Sequence, residues 1–248
     1  MNTANNPSKV ALVTGASRGI GAAVARRLAS DGFSVVVNYA SSSNEADALV
    51  AELKAAGAQA IAVKADVAKA DEVRHMFEIS EQQLGKVDVL VNNAGVLKTV
   101  PLADTSDALF DQTLNINLRG TFNMLREAAA RMSDGGRIVN FSSTTLALNM
   151  PGYAVYNATK AAVEAFTHVF AKELRGRNIT VNAVAPGPIA TSLFLDGKTD
   201  EQIQTFAKMP PLQRLGQPDD IASVVSFLAG PDAGWVNGQI LRANGGVA

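Results

Sequence analysis

Seven short runs rich in β-branched residues recur along the chain. Most are apolar almost throughout rather than alternating between apolar and polar positions. Strands of parallel sheets have this composition because both of their faces are covered. The runs are KVALVTG, FSVVVNYA, AQAIAVKAD, VDVLVNNAG, GRIVNFSS, NITVNAVAPG and GQILRANGG. We therefore predict about seven strands in one parallel sheet.

The stretches between these runs are rich in alanine and leucine and have the periodicity of helices. GAAVARRLASDG and NEADALVAELKAAG are examples, and both end at a glycine, as helices often do. This alternation predicts an α/β fold, a doubly wound parallel sheet (Rossmann fold) with helices on both faces. Neither a linker nor a repeat divides the chain, so we predict a single domain over residues 1–248.

Residues 188–216 interrupt the alternation because they contain no clear strand. A segment of this length in a compact domain is usually a lid or a binding loop. We therefore predict that this segment is a substrate loop.

Composition narrows the class of protein. Of 248 residues, 47% are hydrophobic and 18% are charged, which supports a large core; the net charge of −1 lacks the basic excess of nucleic-acid binders. The absence of cysteine excludes disulfides, thiolate metal ligands and cysteine nucleophiles. No apolar run is long enough to span a membrane, and the start MNTANNPSK lacks the pattern of a signal peptide. We expect a cytoplasmic protein without nucleic-acid or membrane partners.

Three residues with potential chemistry stay outside the predicted site. His75 and His168 lie far apart in predicted helices and lack acidic partners at metal-ligand spacing, so we predict no metal site. Trp235 lies near the last predicted strand. We expect it to pack against the protein, with a role in an interface as the alternative.

The first apolar run leads directly into TGASRGIG, which contains Gly15, Gly19 and Gly21. Glycines at this point let the backbone approach a pyrophosphate, and the following helix adds free N–H groups and the positive end of its dipole. A glycine turn that binds nothing is the alternative. The position of the turn between the first strand and the first helix favours a dinucleotide site.

The end of the second run indicates which dinucleotide fits. Sites that prefer NAD carry an acid there for the ribose 2′-hydroxyl, whereas this chain has no acid before Glu45. Arg18, Ser41 and Ser42 suit a 2′-phosphate, which needs a cation and hydrogen-bond donors. We therefore expect NADP(H). The alternative is that Arg18 is a solvated loop residue and that the serines only begin a helix.

Tyr156 and Lys160 lie four residues apart in PGYAVYNATKAAVEAF and share one face of a predicted helix. A nearby ammonium lowers the pKa of a tyrosine and makes it a usable general acid. The alternative is a half-buried tyrosine beside an extended lysine. Ser143 favours the catalytic interpretation, because it ends a predicted strand and so belongs on the same sheet edge as the glycine turn.

Together these motifs resemble those of the classical short-chain dehydrogenases/reductases, and the resemblance runs from TGASRGIG to GQILRANGG. The matching motifs are, in order, Thr-Gly-x-x-x-Gly-x-Gly, Asn-Asn-Ala-Gly, a serine thirteen residues before Tyr-x-x-x-Lys, and Pro-Gly. The stretch VVVNYASSS resembles that of NADP-preferring members.

The resemblance implies a carbonyl reductase with four catalytic residues. Tyr156 would donate a proton to the carbonyl oxygen, and Ser143 would hydrogen-bond the same oxygen. Lys160 would hold the nicotinamide ribose and bias Tyr156 toward the phenolate. Asn117, in NINLRG, would hold a water that connects Lys160 to solvent.

The resemblance also implies which residues line the cofactor. Asp66 would meet the adenine, and Ile189 and Thr191 would hold the carboxamide. The implied set is Gly15, Ser17, Arg18, Gly19, Ile20, Gly21, Tyr39, Ala40, Ser41, Ser42, Asp66, Val67, Asn93, Ala94, Gly95, Tyr156, Lys160, Pro186, Gly187, Ile189 and Thr191.

The resemblance implies a small-molecule carbonyl substrate, and we expect its pocket to be mostly apolar. The candidate residues are Thr144, Leu148, Met150, Tyr153, Leu193, Phe194, Phe206 and Met209. We expect a ketone carrying hydrophobic or aromatic groups. The chain resembles 3-oxoacyl-thioester reductases and polyketide-type carbonyl reductases about equally.

Two competing interpretations concern the reaction itself. The first is a dehydrogenase that works mainly toward the ketone, since no residue in the sequence fixes the direction. The second is a binding protein that keeps the fold without catalysis. The complete set of four catalytic residues disfavours the binding protein.

Two predicted helices, about 106–132 and 152–176, carry more apolar and small residues than one buried face needs. Extra apolar surface of this kind indicates association. The resemblance implies a homotetramer that forms through these helices.

Overall fold

The computed structural model of the chain describes residues 8–248. Most of the N-terminal stretch that entered the localisation argument, residues 1–7, lies outside that range. Within the described range the strands are β1 Val10–Val13, β2 Ser34–Tyr39, β3 Ala60–Lys64, β4 Val87–Asn92, β5 Arg137–Phe141, β6 Thr180–Pro186 and β7 Ile240–Ala243. They pair in parallel in the order β3-β2-β1-β4-β5-β6-β7, which confirms the predicted sheet.

The helices connect these strands and cover the sheet. They are α1 Gly19–Ser30, α2 Ser43–Ala55, α3 Ala70–Gln83, α4 Asp107–Thr113, α5 Gly120–Arg131, α6 Thr145–Leu148, α7 Ala154–Glu173, α8 Ser192–Leu195, α9 Asp200–Lys208 and α10 Pro218–Ala229. Short 3₁₀ turns add Leu102–Asp104 and Pro231–Ala233.

Strand β1 demonstrates why the strands are apolar throughout. Ala11 and Val13 face a core shared with α1, α2 and α10. Val10 and Leu12 face a second core shared with α3 and α5. All four residues are buried, so each face of the strand excludes water against a different helical layer.

The helix predicted at about 106–132 is interrupted. A π-helical segment, Leu114–Arg119, separates α4 from α5 and contains the buried Asn117. Single π turns inside helices are often associated with functional sites. The sequence periodicity predicted one helix because the residues on both sides of this segment are helical.

The segment 188–216 contains helices α8 and α9, and no strand longer than a single bridge forms within it. That bridge joins Ile189 to Gly216, so the two ends of the segment lie side by side. Thr199 caps α9 by accepting from the Gln202 backbone, while the Gln202 side chain accepts from the Thr199 backbone. The segment is therefore a loop with its own helices, and its two ends are held together beside the sheet.

Two expectations about single residues are wrong. Trp235 does not pack against the protein, because 99% of its surface is exposed. His75 does have an acidic neighbour, since its Nδ1 lies 3.5 Å from Glu78 on the exposed face of α3. Residues 8–248 contain no group of three or more side chains able to hold a metal ion. In that same range, no helix is both long and apolar enough to cross a bilayer.

Candidate active site

The strand order reverses beside β1, where β2 and β4 lie on opposite sides of it. In open α/β sheets the crevice at the carboxyl end of such a reversal is where ligands bind. The glycine turn follows β1, Asn93 follows β4, Ser143 follows β5 and Gly187 follows β6. The fold therefore brings the sequence motifs together at one edge.

The glycine turn requires its glycines. Gly15 and Gly19 have φ values of 60° and 57°, which side chains rarely adopt. A Cβ on Gly21 would lie 2.4 Å from the Gly15 carbonyl oxygen, so the start of α1 can pack against β1 only without a side chain there. Arg18 is the N-cap residue of α1, and its side chain cannot accept a hydrogen bond from the N–H groups of the first turn. Those N–H groups are therefore available to an anion.

Polar side chains behind the turn hold its shape. The Asn93 amide nitrogen donates to the carbonyl oxygens of Thr14 and Gly15, at 2.8 and 3.1 Å. Asn38 Oδ1 accepts from the Gly15 N–H at 3.2 Å, and its amide nitrogen donates to Ala65 at 3.0 Å. Asn38 was missed by sequence reasoning, and its one signal was a single amide within the apolar run VVVNYA.

Two adjoining cavities line this edge. The first is lined by sixteen of the predicted cofactor positions: Gly15, Ser17, Arg18, Gly19, Ile20, Gly21, Tyr39, Ala40, Ser41, Ser42, Asp66, Val67, Asn93, Ala94, Gly95 and Thr191. The second is lined by Tyr156, Lys160, Pro186, Gly187 and Ile189, together with Ser143. Both cavities share Ile20, Asn93, Gly95, Val96, Thr191 and Leu193, so they form one continuous groove.

The far end of the first cavity carries hydroxyls and a cation rather than an acid. Ser41 is exposed there, and Ser42 is the N-cap of α2. Arg18 is exposed and forms no ion pair within residues 8–248. Glu45 lies in the first turn of α2, where it complements the helix dipole.

The chemical end is built from α7 and the end of β5. The Tyr156 and Ser143 side chains line the same cavity. Lys160 Nζ lies one helical turn further on, 5.6 Å from the centroid of the Tyr156 ring, and donates to the Phe141 carbonyl oxygen at 2.8 Å. Lys160 is only 5% exposed, and burial lowers its pKa to about 8.

The expected lowering of the Tyr156 pKa is contradicted. Burial raises the pKa of Tyr156 to about 12, and the neighbouring Ser143 hydroxyl only partly opposes that rise. Lys160 does not offset this rise, because its Nζ donates to the Phe141 carbonyl oxygen instead of the Tyr156 hydroxyl. The tyrosine is therefore protonated at neutral pH.

Asn117 acts as a brace between the site's elements. Its Oδ1 accepts from the Val96 N–H at 2.8 Å, and its Nδ2 donates to the Val96 carbonyl at 2.9 Å and to Thr159 at 3.3 Å. These bonds tie the π-helical segment to the chain after β4 and to α7. The predicted role of Asn117 in holding a water stays a prediction.

All eight candidate substrate residues line the second cavity: Thr144, Leu148, Met150, Tyr153, Leu193, Phe194, Phe206 and Met209. The Phe194 and Phe206 rings pack edge to face at 5.1 Å. Lys198 lies over the Phe194 ring, 4.5 Å from its centroid. The segment 188–216 thus contributes an aromatic wall to the cavity.

Comparison with known proteins agrees with this geometry. A family model described as Enoyl-(Acyl carrier protein) reductase matches residues 15–248. The chain is 43% identical to a short-chain type dehydrogenase/reductase of Picea abies, over 96% of this chain and 92% of that protein. It is 45% identical to the 3-oxoacyl-(acyl-carrier-protein) reductase FabG of Staphylococcus aureus, over 97% of this chain and 98% of that protein.

Among solved structures, a blue fluorescent protein from a metagenomic library, crystallised in complex with NADPH, matches with a TM-score of 0.92. It is 43% identical, and the match covers 99% of this chain and 100% of that one. Sequence and structure therefore agree over nearly the whole chain. The chain belongs to the short-chain dehydrogenase/reductase family and is an oxidoreductase.

Proposed function

We propose that the chain uses NADPH to reduce a ketone with hydrophobic or aromatic groups to a secondary alcohol. One observation carries the proposal: the hydroxyls of Ser143 and Tyr156 line a largely apolar cavity that continues into the glycine-lined groove. Two donors in an apolar cavity suit the oxygen of a carbonyl group.

The groove fits a dinucleotide carrying a 2′-phosphate. A Cβ on Gly15 would lie 3.0 Å from Ala94 Cα, and one on Gly95 would lie 3.3 Å from Asn117 Oδ1, so neither position in the groove lining has free space for a side chain. Arg18, Ser41 and Ser42 would hold the 2′-phosphate. When bound, the reduced nicotinamide supplies the hydride, and the protein supplies position and electrostatics.

Tyr156 acts as the general acid in this mechanism. A pKa of about 12 keeps its proton in place at neutral pH, yet that proton is acidic enough to move to an alkoxide. Ser143 hydrogen-bonds the same oxygen as negative charge develops on it. Lys160, the ammonium nearest to Tyr156 on α7, stabilises the resulting phenolate.

Reduction of a 3-oxoacyl thioester is the second candidate. The similarity to FabG of Staphylococcus aureus favours it, and an acyl chain would also suit the apolar cavity. The edge-to-face pair of Phe194 and Phe206 favours an aromatic or bulky ketone, because flat rings prefer such partners. The ratio of oxidised to reduced cofactor sets the direction of the reaction in either case.

The test follows NADPH absorbance with aryl ketones, alkyl ketones, a 3-oxoacyl thioester and a polar keto-sugar, and repeats the best substrate with NADH. We expect an apolar ketone and NADPH to give the highest kcat/KM. Tyr156→Phe should lower kcat at least about 10²-fold, because the general acid is removed. NADPH affinity, measured by fluorescence, is the control and should stay within about threefold. Comparable turnover by the variant would rule out the assigned role of Tyr156.

A homotetramer in the cytoplasm completes the proposal. Phe110 on α4, Phe122 on α5 and Val169 on α7 are large apolar side chains that are 43%, 45% and 55% exposed in the single chain. Exposed apolar side chains on adjoining helices are typical of subunit contacts. This arrangement supports association through the helices that the sequence singled out.

A further inference from the structure

A chain of hydrogen bonds extends from the Ser143 hydroxyl. Ser143 Oγ lies 2.8 Å from Thr145 Oγ1 and accepts from the Thr145 N–H at 3.2 Å. Thr145 Oγ1 lies 2.6 Å from Asn157 Oδ1. The Asn157 amide nitrogen donates to the Thr145 carbonyl oxygen at 3.0 Å. The chain thus joins the start of α6 to the first turn of α7, beside Tyr156.

The direction of these hydrogen bonds follows from counting protons. A carbonyl oxygen only accepts, so the Thr145 carbonyl fixes Asn157 with its nitrogen toward it and its oxygen toward the Thr145 hydroxyl. The Asn157 oxygen also only accepts, so the one hydroxyl proton of Thr145 has two acceptors within reach, Asn157 Oδ1 and Ser143 Oγ. Ser143 Oγ accepts from both the hydroxyl and the backbone N–H of Thr145, which leaves the proton of Ser143 free to point into the cavity.

A carbonyl oxygen bound in the cavity would accept the protons of both Tyr156 and Ser143. The Thr145 hydroxyl proton then serves Ser143 rather than Asn157, and both acceptors already lie within hydrogen-bond distance, so no heavy atom needs to move. Ser143 then accepts one bond while donating another, and such chains strengthen each member.

We propose that Thr145, held in place by Asn157, is a positioning residue that donates to Ser143 when Ser143 donates to the substrate. This inference deepens the proposed function and rests on it. Thr145 is partly buried and lines the substrate cavity, and Asn157 is partly buried directly after Tyr156. Neither residue lines the cavity that contains the glycine turn, so we expect the effect in the reductive step.

The test compares Thr145→Val, which keeps the shape and removes the hydroxyl, with Thr145→Ser, which keeps the hydroxyl. We expect Thr145→Val to lower kcat about tenfold, the worth of one hydrogen bond to a developing charge, and Thr145→Ser to recover most of that loss. NADPH affinity should not change in either variant. Thr105→Val is the matched control, because the Thr105 hydroxyl donates only to the Pro101 carbonyl oxygen.

The pH profile separates positioning from a general structural role. The neighbouring Ser143 hydroxyl lowers the pKa of Tyr156, so a Ser143 that Thr145 no longer supports lets that pKa rise. The reductive rate of Thr145→Val should therefore persist to higher pH than that of the wild type. Tyr153 and Lys160, the titratable groups facing Tyr156 from α7, are unchanged in the variants.

Two results would overturn the inference. One is a folded Thr145→Val protein whose kcat and pH profile match the wild type. The other is a folded Thr145→Ser protein that stays as slow as Thr145→Val. Both results leave the proposed function intact if Tyr156→Phe is inactive, whereas a wild type that reduces no ketone with NADPH refutes the proposed function itself.

Discussion

Lys160 is a charged group in a place where charge is costly. It is 5% exposed, and within residues 8–248 its hydrogen bond is to the Phe141 carbonyl rather than to an acid. The difference between its ordinary pKa of 10.5 and the value of about 8 corresponds to on the order of 3 kcal/mol at neutral pH. The protein thus keeps a destabilising ammonium beside Tyr156, the proposed general acid, and such a trade of stability for activity is common.

Replacement of this ammonium should stabilise the fold and stop the reaction. We expect Lys160→Met to raise the free energy of unfolding at pH 7 by about 1–3 kcal/mol, because a buried charge is replaced by an apolar chain of similar length. Urea denaturation monitored by circular dichroism measures this change. Lys172→Met, at an exposed position of α7, is the control and should change stability by less than about 0.5 kcal/mol.

The advantage of Lys160→Met should shrink as the pH rises. Between pH 8 and 10.5 the unfolded lysine binds a proton that the folded one has released, so wild-type stability increases through that window. The raised pKa of Tyr156 acts at higher pH and is common to both proteins. A stability difference that is independent of pH would contradict the account of Lys160 as a buried charge.

At the scale of elements, the contact between β1 and α1 sets the shape of the cofactor groove. Gly21 lies where α1 crosses the end of β1, and a Cβ there would lie 2.4 Å from the Gly15 oxygen and 2.6 Å from the Asn93 nitrogen. Neither neighbour can yield easily, because Asn93 holds the turn through two hydrogen bonds. The glycine spacing is therefore a packing requirement as well as an opening for phosphate.

Gly21→Ala should consequently weaken cofactor binding more than a glycine replacement elsewhere. We expect NADPH affinity to fall at least about tenfold, because the added methyl group shifts the helix start and its N–H groups. Gly32→Ala is the control: Gly32 has a φ of 94° but nothing within 4 Å of an added Cβ. It should cost about 1 kcal/mol of stability with affinity retained. Equal affinity of Gly21→Ala and wild type for NADPH would contradict this argument.

Sequence reasoning reached the elements because they obey local rules. Buried parallel strands are apolar throughout, and the glycine turn and the Tyr-x-x-x-Lys pair have fixed spacings. It failed where the answer depends on contacts between distant residues. The link between Thr145 and Asn157, and the turn of Lys160 toward Phe141, are set by how α6, α7 and β5 meet. The pKa of Tyr156 depends on burial, which spacing along a helix does not report.

At the scale of the whole molecule, the exposed aromatic side chains indicate a surface that contacts another subunit. Phe110 and Phe122 lie on the helices flanking the π-helical segment, and Trp235 lies beyond α10 with 99% of its surface exposed. The expectation that Trp235 packs internally was wrong because the sequence reports its hydrophobicity and not the direction of its side chain. Its exposure agrees with the alternative role in an interface.

Light scattering at micromolar concentration should give the mass of a tetramer of 25.9 kDa chains. Phe122→Glu should lower that mass, because it introduces a charge at a position that is 45% exposed in the single chain and would be buried between subunits. Ala51→Glu, on the exposed face of α2, is the matched control and should leave the mass unchanged. A wild-type monomer would refute the proposed assembly.

The bridge between Ile189 and Gly216 has a consequence for how such an enzyme changes over evolution. Reciprocal backbone hydrogen bonds of 2.8 and 2.9 Å close the segment at its base, and Thr199 caps α9 within it. Insertions, deletions and new side chains between these ends need not disturb β6. Tyr156, Lys160 and Ser143 all lie outside the segment. Substrate range can therefore diverge among descendants while these three residues are inherited unchanged.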